Sequence, residues 1–268
     1  KSRHIKIFKM RIYATGTNGM IGRRLAKFLL VTPIPRNRDI NLTGADVVIH
    51  FGAYGNNSWQ HDLKETFDAN VLGTFTLLEK CRLEGVKKFI FIGSSSEYGK
   101  KNKAMREDMT LDTDTMYGCS KICGTYLTRH YSKYFKTAVV RPFSIYGEEE
   151  DERKFIPTVV RCIKNTESMP LSDGIHDWVY VDDFCRALVK IIDCDFSGII
   201  NVGTGVTTSN QEVVKLLEDI AGKKVKTRKA PSDRFLWVAD NSKIKSLGWK
   251  PEVLLREGLK RVYEAKNT

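Results

Sequence analysis

A glycine-rich turn near the start of the chain constrains the fold more than any other feature. Residues 10–22 read Met-Arg-Ile-Tyr-Ala-Thr-Gly-Thr-Asn-Gly-Met-Ile-Gly, and residues 23–30 continue with helical spacing. In this order of strand, turn and helix, Gly16 permits a tight turn, Gly19 admits a diphosphate and Gly22 lets the helix pack close to the sheet. The pattern predicts a dinucleotide site. Its spacing is G-x-x-G-x-x-G rather than G-x-G-x-x-G, so a plain strand-to-helix turn is also compatible.

The apolar runs that follow predict the fold class. Residues 45–53 and 89–92 are nearly continuous apolar runs, typical of strands buried on both faces of a parallel sheet. Small or hydroxyl-bearing residues follow each run, where such a sheet opens toward its ligand. Between them, residues 68–84 have helical spacing and end at Gly85. We therefore predict an α/β fold with a doubly wound parallel sheet.

The alternation of strands and helices loosens after residue 147. Residues 138–143 form a further predicted strand, and an acidic loop at 148–152 marks a change in composition. We predict a dinucleotide-binding Rossmann domain over residues 10–147. The remainder, 148–268, is predicted to be mainly a smaller α/β substrate-binding lobe, some segments of which return to the first domain.

The segment after the first helix bears on the choice of cofactor. Residues 28–34 could supply the second strand, with Arg36 and Arg38 just beyond it. In a dinucleotide fold this strand ends at the adenosine ribose, where an acid prefers NAD and a basic side chain accommodates the 2′-phosphate of NADP. We favour NADP over NAD on this ground, although an exposed basic loop explains the same residues.

Composition restricts the size of the fold, the groups that the protein binds and its location in the cell. The 268 residues are 41% hydrophobic, enough for one large α/β unit with a smaller lobe. The six cysteines form no C-x-x-C pair and fit reduced thiols better than a zinc site, so no metal is expected. No apolar run approaches the about 20 residues of a membrane span. We expect a cytoplasmic protein, and we assign no function to residues 1–9, which precede a natural start at Met10.

The net charge of +12 raises the question of nucleic acid. Lysine and arginine are dispersed among acids over most of the chain, with small clusters at residues 1–11 and 223–229. An anionic small substrate or a solvated basic surface explains this distribution better than a nucleic-acid partner.

A tyrosine and a lysine provide the clearest chemical signal. Tyr117 is the only one of the ten tyrosines with a lysine four residues later, which places Tyr117 and Lys121 on one helix face. A neighbouring cation favours the phenolate and lowers the tyrosine pKa. Tyr117 could then exchange a proton with a sugar hydroxyl or ketone while hydride moves to or from nicotinamide. A surface tyrosine beside a lysine is the alternative, which the upstream glycine turn and the serines at 94–96 make less satisfactory.

Together these motifs resemble the extended short-chain dehydrogenase/reductase family, in its nucleotide-sugar epimerase, dehydratase and ketoreductase branch. The likeness runs from residue 10 to about residue 265, and the motifs occur in family order. They are the glycine turn, His50-Phe-Gly-Ala53, Asn70-Val-Leu-Gly-Thr74, the serines before Tyr98-Gly99, Tyr117 with Lys121, Arg141-Pro-Phe-Ser-Ile-Tyr-Gly147, Asp177-Trp-Val-Tyr-Val-Asp-Asp183, Asn201-Val-Gly203 and Ala239-Asp-Asn-Ser-Lys243.

The resemblance implies a catalytic trio of Ser94, Tyr117 and Lys121. Ser94 would hydrogen-bond the reacting oxygen, with Ser95 as an alternate. Tyr117 would act as the acid or base. Lys121 would hold the nicotinamide ribose and tune Tyr117.

The resemblance also implies binding residues on both sides of the reaction. Cofactor contacts are expected from Gly16, Asn18, Gly19, Met20, Ile21, Gly22, Arg36, Asp39, Ile40, Phe51, Gly52, Ala53, Asn70, Lys121 and Pro142. Substrate contacts are expected from Ser95, Ser144, His176 and Arg234. Arg234 matches a basic residue suited to a diphosphate, and His176 could substitute for an arginine that many relatives carry beside the next aspartate. Trp237 could stack on the base, but a core position also fits it.

Departures from the family pattern bear on the reaction. The segment before residue 45 is short, as in nucleotide-sugar 4-ketoreductases. Dehydratases carry an acid two residues after the catalytic hydroxyl, a position that is Ser96 if Ser94 is catalytic. Glu97 fits that role only if Ser95 is the catalytic hydroxyl, so dehydration is disfavoured.

We therefore expect hydride transfer at C4 of a nucleoside-diphosphate sugar, and favour a 4-keto-sugar reductase over a 4-epimerase with retained NAD. The rival of another class is a non-catalytic dinucleotide-binding or RNA-binding module. The helices after Asn70 and around Tyr117 resemble the pair that forms the dimer interface in relatives, so a homodimer is expected.

Overall fold

The computed structural model describes residues 10–37, 39–57, 59–230 and 235–266. The strands are β1 (Ile12–Thr15), β2 (Thr32–Pro33), β3 (Val47–His50), β4 (Lys88–Ile92), β5 (Lys136–Pro142), β6 (Ser144–Tyr146), β7 (Ser168–Leu171), β8 (Ile175–His176), β9 (Trp178–Tyr180), β10 (Gly198–Val202), β11 (Thr208–Ser209), β12 (Lys226–Lys229) and β13 (Leu236–Trp237). The α-helices are α1 (Met20–Leu25), α2 (Leu63–Phe67), α3 (Gly73–Leu83), α4 (Met116–His130), α5 (Phe155–Asn165), α6 (Val181–Asp193), α7 (Asn210–Ala221), α8 (Ser242–Ser246) and α9 (Leu255–Ala265). A π-helical turn, Asp68–Leu72, joins α2 to α3, and 3₁₀ turns cover Ser95–Tyr98 and Tyr131–Lys133.

The main sheet is parallel throughout. Within the described residues it has six strands in the order β10-β5-β4-β3-β1-β2. Its continuous apolar strands separate two cores. Ile90 belongs to the core that contains Leu25 of α1 and Leu188 of α6, whereas Phe89 belongs to the core that contains Leu77 of α3. Alternate side chains of a strand point to opposite faces, so helices cover both sides and the predicted doubly wound fold is confirmed.

The edge of the sheet beside β1 differs from the sequence prediction. The predicted helix over 23–30 ends at Leu25, and the predicted strand over 28–34 is reduced to the two residues of β2. Pro33 and Pro35 explain the short strand, because proline has no N–H to donate to a strand ladder.

The described residues between β2 and β3, which are 34–37 and 39–46, contain no helix. Ile34, Leu42 and Ala45 are buried along this stretch and join the core that contains Leu77. An extended segment therefore fills the space that a crossover helix occupies in a longer βαβ unit.

The second half of the chain forms small sheets around the main one. β7 pairs with β12, β6 pairs with β9, and β8 lies between β11 and β13. β10 returns to the main sheet beside β5. The domain boundary at residue 147 remains a prediction, with β10 as a returning segment.

A buried carboxylate ties α6 to the segment before α9. Asp183 accepts hydrogen bonds from Arg186 at 2.6 Å and from the backbone N–H groups of Glu252 at 2.8 Å and Val253 at 3.0 Å. We predict that Asp183→Asn lowers the free energy of unfolding by about 2 kcal/mol, because buried partners lose a charged acceptor. Urea denaturation measures this, with exposed Asp114→Asn as the control expected to change stability by less than about 0.5 kcal/mol. Equal effects of the two substitutions would contradict the structural role.

Candidate active site

A cavity of about 820 Å³ opens at the carboxyl ends of four neighbouring strands. Gly16, Phe51, Gly93 and Phe143 line it, and each follows directly after or shortly beyond β1, β3, β4 or β5. In open α/β sheets, ligands bind in the crevice at these strand ends. The same cavity extends to His176, Trp178 and Trp237 from the second half of the chain.

The glycine turn has the geometry predicted for it. Gly16 has a φ of +68°, and a Cβ there would lie 2.9 Å from the backbone nitrogen of Gly52. A Cβ at Gly22 would lie 2.5 Å from the Cα of Thr17, so only glycine fits. At Gly19 a Cβ would meet only the carbonyl oxygen of Gly16, at 3.4 Å. The turn thus packs tightly beneath and leaves room above Gly19, which fits the close approach of a diphosphate.

His50 secures the glycine turn against the neighbouring strand. Its Nδ1 lies 2.6 Å from the hydroxyl of Thr15, and its Nε2 lies 3.1 Å from the hydroxyl of Thr74. The hydroxyl of Thr15 also accepts a hydrogen bond from the N–H of Gly52 at 3.0 Å. Since His50 is 1% exposed, it acts as a buried connector of β1, β3 and α3.

The serine cluster begins where β4 ends. Ser94 caps the 3₁₀ turn that follows, and its hydroxyl accepts a hydrogen bond from the N–H of Ser96 at 3.1 Å. Ser94, Ser95 and Ser96 all line the cavity. Glu97 instead lies in the core with 0% exposure.

The helix α4 brings Tyr117 and Lys121 to the serines. Thr115 caps its first turn by accepting a hydrogen bond from the N–H of Gly118 at 3.0 Å. Gly124 lets the helix approach β4, because a Cβ there would lie 2.2 Å from the ring of Phe91. The side chain of Tyr117 comes close enough to Ser94 for the two to interact, and both Tyr117 and Lys121 line the cavity.

The ammonium group of Lys121 is buried beneath Tyr117. It donates a hydrogen bond to the carbonyl oxygen of Ile92 at 2.8 Å and lies 5.7 Å from the ring centroid of Tyr117. It also lies 4.9 Å from the ring centroid of Phe91. The structure therefore brings the predicted trio of Ser94, Tyr117 and Lys121 together.

The pKa of Tyr117 departs from the sequence prediction. Burial raises it above the ordinary value, and the interaction with Ser94 offsets this only in part. Burial also lowers the pKa of Lys121 to about 8, against the opposing charge of Glu97. The predicted lowering of the tyrosine pKa by the lysine is wrong, because the desolvation of a buried phenol outweighs the effects of its neighbours.

The substrate side of the cavity contains Ser144 and His176, as predicted. The hydroxyl of Ser144 lies 3.3 Å from Nδ1 of His176, and Trp237 pairs with His176 between β13 and β8. Burial lowers the pKa of His176, so the imidazole is neutral near pH 7. Trp237 is half-buried on the cavity wall, while Arg234 and Arg38 lie outside the described residues.

Part of the predicted cofactor set lies away from the cavity wall. Of the predicted residues, Gly16, Gly19, Met20, Ile21, Gly22, Phe51, Ala53, Lys121 and Pro142 line it, whereas Asn18, Arg36, Asp39, Ile40, Gly52 and Asn70 do not. Arg36 is exposed in the turn after β2. Asn70 supports the site from behind, because its side chain donates to the carbonyl oxygen of Tyr54 and to the hydroxyl of Ser120, both at 2.8 Å.

Sequence analysis missed one stretch of the wall. The cavity is also lined by Asn56, Asn57, Gln60, Glu149, Glu150, Asp151, Lys154 and Phe155. The acidic loop was visible in the sequence, but only as a change in composition. Two ion pairs hold this loop beside the glycine turn. Glu149 pairs with Arg23, and Glu148 pairs with Arg24.

The described residues contain neither a membrane-spanning helix nor a cluster of metal ligands. None of the helices there is both long and apolar enough to cross a membrane. No group of three or more His, Cys, Asp or Glu side chains in the same residues could hold a metal ion.

Comparison with known proteins identifies the family. Residues 36–203 match the model of the NAD dependent epimerase/dehydratase family. The chain is 31% identical over 238 residues to a putative UDP-glucose 4-epimerase of Methanocaldococcus jannaschii, covering 83% of this chain and 77% of that protein. It is 30% identical over 238 residues to a dTDP-glucose 4,6-dehydratase of Streptomyces griseus, covering 81% and 70%. The chain belongs to the NAD-dependent epimerase/dehydratase family.

Solved structures agree with this assignment. The UDP-glucuronic acid 4-epimerase of Bacillus cereus, in complex with UDP-glucuronic acid and NAD, is 26% identical, with a TM-score of 0.89 over 96% of this chain and 99% of that chain. The resemblance to extended short-chain dehydrogenases/reductases is confirmed, and the chain is an enzyme of that type.

The close packing of the glycine turn yields a prediction for ligand binding. Gly22→Ala pushes a methyl group against the backbone of Thr17, which must displace the turn. We expect the affinity for NAD(H) or NADP(H) to fall at least about tenfold, the equivalent of about 1.4 kcal/mol, as measured by fluorescence titration of the reduced cofactor. Gly85→Asn is the control, because Gly85 has open space around it and asparagine tolerates its positive φ. Unchanged affinity in Gly22→Ala would contradict a dinucleotide site at this turn.

Proposed function

We propose that this enzyme transfers hydride at C4 of a nucleoside-diphosphate sugar and that its net reaction is 4-epimerisation. The observation that carries the proposal is the meeting of Ser94, Tyr117 and Lys121 on one wall of the cavity whose other wall is the glycine turn. A reactive alcohol placed between them meets a proton-transfer group on one side and the dinucleotide on the other.

The cavity fits a nicotinamide dinucleotide. Gly16, Gly19 and Gly22 form a tight cradle with room above Gly19, and Phe51 and Ala53 line the adjoining wall. When bound, the dinucleotide supplies the hydride acceptor and donor. Lys121 is the candidate for holding its nicotinamide ribose.

Tyr117 and Ser94 are the residues proposed to act on the proton of the reacting sugar oxygen. Burial raises the pKa of Tyr117, so it is a neutral phenol near pH 7 and suited to donating a proton to a sugar ketone. Ser94 lies beside Tyr117 and would share the reacting oxygen. In the oxidative direction Tyr117 must first lose its proton, so that the phenolate can accept the proton of the sugar hydroxyl, and it returns that proton in the reductive direction.

Epimerisation is favoured over the other reactions of the family for two reasons. The M. jannaschii relative carries a 4-epimerase name, and the B. cereus 4-epimerase binds NAD in its structure. A dehydratase needs an acid beside the catalytic hydroxyl, but Ser96 stands at that position and the carboxylate of Glu97 faces Arg141 in the core. The alternative in which Glu97 serves as that acid is therefore not supported.

The 4-keto-sugar reductase favoured from the sequence is the second candidate. It rests on exposed Arg36 after β2 and on the short segment before β3. The relatives do not confirm it. Cofactor retention separates the two, because an epimerase reuses its cofactor within each cycle and a reductase must exchange it.

Native mass spectrometry of the purified protein tests this choice. We expect an epimerase to retain NAD, since oxidation and reduction regenerate it in the site. The control is Gly22→Ala, which should lose the retained species. A protein that purifies empty and takes up NADPH in preference to NADH would instead establish the reductase.

Removal of the phenol tests the catalytic assignment. Tyr117→Phe keeps the ring and removes the proton donor, so we expect turnover to fall by about 100-fold or more, with cofactor affinity within about twofold of wild type. Tyr126→Phe is the matched control, because Tyr126 lies on the same helix but is exposed. Full activity in Tyr117→Phe would refute the assignment. Cofactor binding with no turnover on any nucleotide sugar would favour the non-catalytic module.

We also propose that the protein is a homodimer through α3 and α4. Leu72, Phe75, Leu83 and Tyr126 are large apolar side chains that lie on or beside these helices and are 45% to 71% exposed. An apolar surface of this kind is typical of an interface. Sedimentation equilibrium should give a dimer, and Phe75→Arg should shift it toward monomer. A wild-type monomer at every concentration would contradict this proposal.

A further inference from the structure

A buried carboxylate lies directly behind the serine of the proposed trio. Glu97 is 0% exposed, and its Oε1 accepts a hydrogen bond from the N–H of Ser94 at 2.9 Å. Its Oε2 accepts hydrogen bonds from the hydroxyl of Thr125 at 2.7 Å and from Nε of Arg141 at 2.9 Å. One side chain thus joins the end of β4, helix α4 and strand β5.

The contact with α4 falls on the helix face that carries the trio. Tyr117, Lys121 and Thr125 follow one another at intervals of four residues, which places them in one row. Glu97 therefore fixes Ser94 on one side and the end of this row on the other. Movement of α4 relative to the turn that contains Ser94 and Glu97 would break the hydrogen bond from Thr125.

Arg141 holds the carboxylate of Glu97 on the core side. Arg141 is 1% exposed and also donates to the hydroxyl of Tyr98 at 3.0 Å. That hydroxyl donates to Asn201 of β10 at 2.7 Å. A buried ion pair with its remaining hydrogen bonds satisfied is costly to disturb, so Glu97 cannot turn toward the cavity without leaving Arg141 unpaired.

The charge of Glu97 acts on both titrating groups of the trio. Burial lowers the pKa of Lys121 and the negative charge of Glu97 raises it. The same charge adds to the raised pKa of Tyr117. The remaining ionisable groups that line the cavity are Arg23, Glu149, Glu150, Asp151, Lys154 and His176, and none of these is among the groups that shift Lys121.

We propose that Glu97 is a positioning residue that holds Ser94 in register with Tyr117 and keeps Lys121 in its charged form. This inference rests on the proposed catalytic roles of those three residues. It assigns Glu97 a task different from proton transfer to substrate, because its carboxylate faces the core.

Glu97→Gln tests the electrostatic part of this role. The amide retains an acceptor for the N–H of Ser94 and loses the charge. Without that charge both Lys121 and Tyr117 deprotonate at lower pH, so both limbs of the pH profile of kcat/KM should move to lower pH by about one unit. The alkaline limit of NADH binding, followed by fluorescence, should move in the same direction. Thermal unfolding measures the accompanying loss of stability separately.

Two further variants distinguish the loss of the Glu97 charge from a general loss of stability. Asp183→Asn removes another buried carboxylate paired with an arginine, one that does not line the cavity, and should lower stability without moving either pH profile. If Glu97→Gln alone does not fold, the double variant Glu97→Gln/Arg141→Met is compared with wild type, because Arg141→Met alone would leave a buried carboxylate without its cation. The double variant lacks the charge of Glu97, and Arg141 is not among the groups that shift Tyr117 or Lys121, so a shift of both limbs to lower pH is again expected.

The outcomes distinguish this inference from the proposed function. A folded Glu97→Gln, or its double variant, with both pH profiles unchanged would overturn the role of Glu97 while the enzyme remains active. A wild-type protein without turnover, or a fully active Tyr117→Phe, would overturn the proposed function itself.

Discussion

The parallel pairing of β1, β3, β4 and β5 is the constraint on which the site depends. Because these strands run in one direction and in register, the loops that follow them emerge at one edge of the sheet. The glycine turn, the turn after His50 and the serine cluster therefore share one crevice although they lie far apart in the sequence. Buried connections such as His50 with Thr15 and Thr74 hold these loops in place.

Burial determines how the proposed trio is poised. Burial disfavours the charged form of both groups, the phenolate and the ammonium, which raises the pKa of Tyr117 and lowers that of Lys121. The lysine ammonium faces the carbonyl of Ile92 rather than the phenol. The negative charge of Glu97 raises the pKa of Lys121. Glu97 in turn forms an ion pair with Arg141. The chemistry at the surface of the cavity thus depends on an ion pair inside the core.

The fold class and the pairing of Tyr117 with Lys121 could be predicted from the sequence because each depends on local spacing, whereas Ser94 was added to them by the family resemblance. Continuous apolar runs indicate a parallel sheet, and the interval from Tyr117 to Lys121 places both on one helix face. The direction of the Tyr117 pKa could not be predicted, since it follows from burial. The partnership of Glu97 with Arg141 joins residues 44 positions apart, and no local pattern reports it. The apolar residues from 28 to 34 favour a longer strand than β2, but Pro33 and Pro35 have no N–H to donate to a strand ladder.

The central claim is that hydride leaves C4 of a nucleotide sugar and returns to it within this cavity. The most direct test is incubation of the enzyme and NAD with UDP-glucose deuterated at C4, followed by NMR of the products. The account predicts the C4 epimer with deuterium retained at that carbon, because hydride returns to the carbon that it left. An epimer that has lost its deuterium to solvent would contradict hydride transfer, and absence of the epimer with this and other nucleotide sugars would contradict 4-epimerisation.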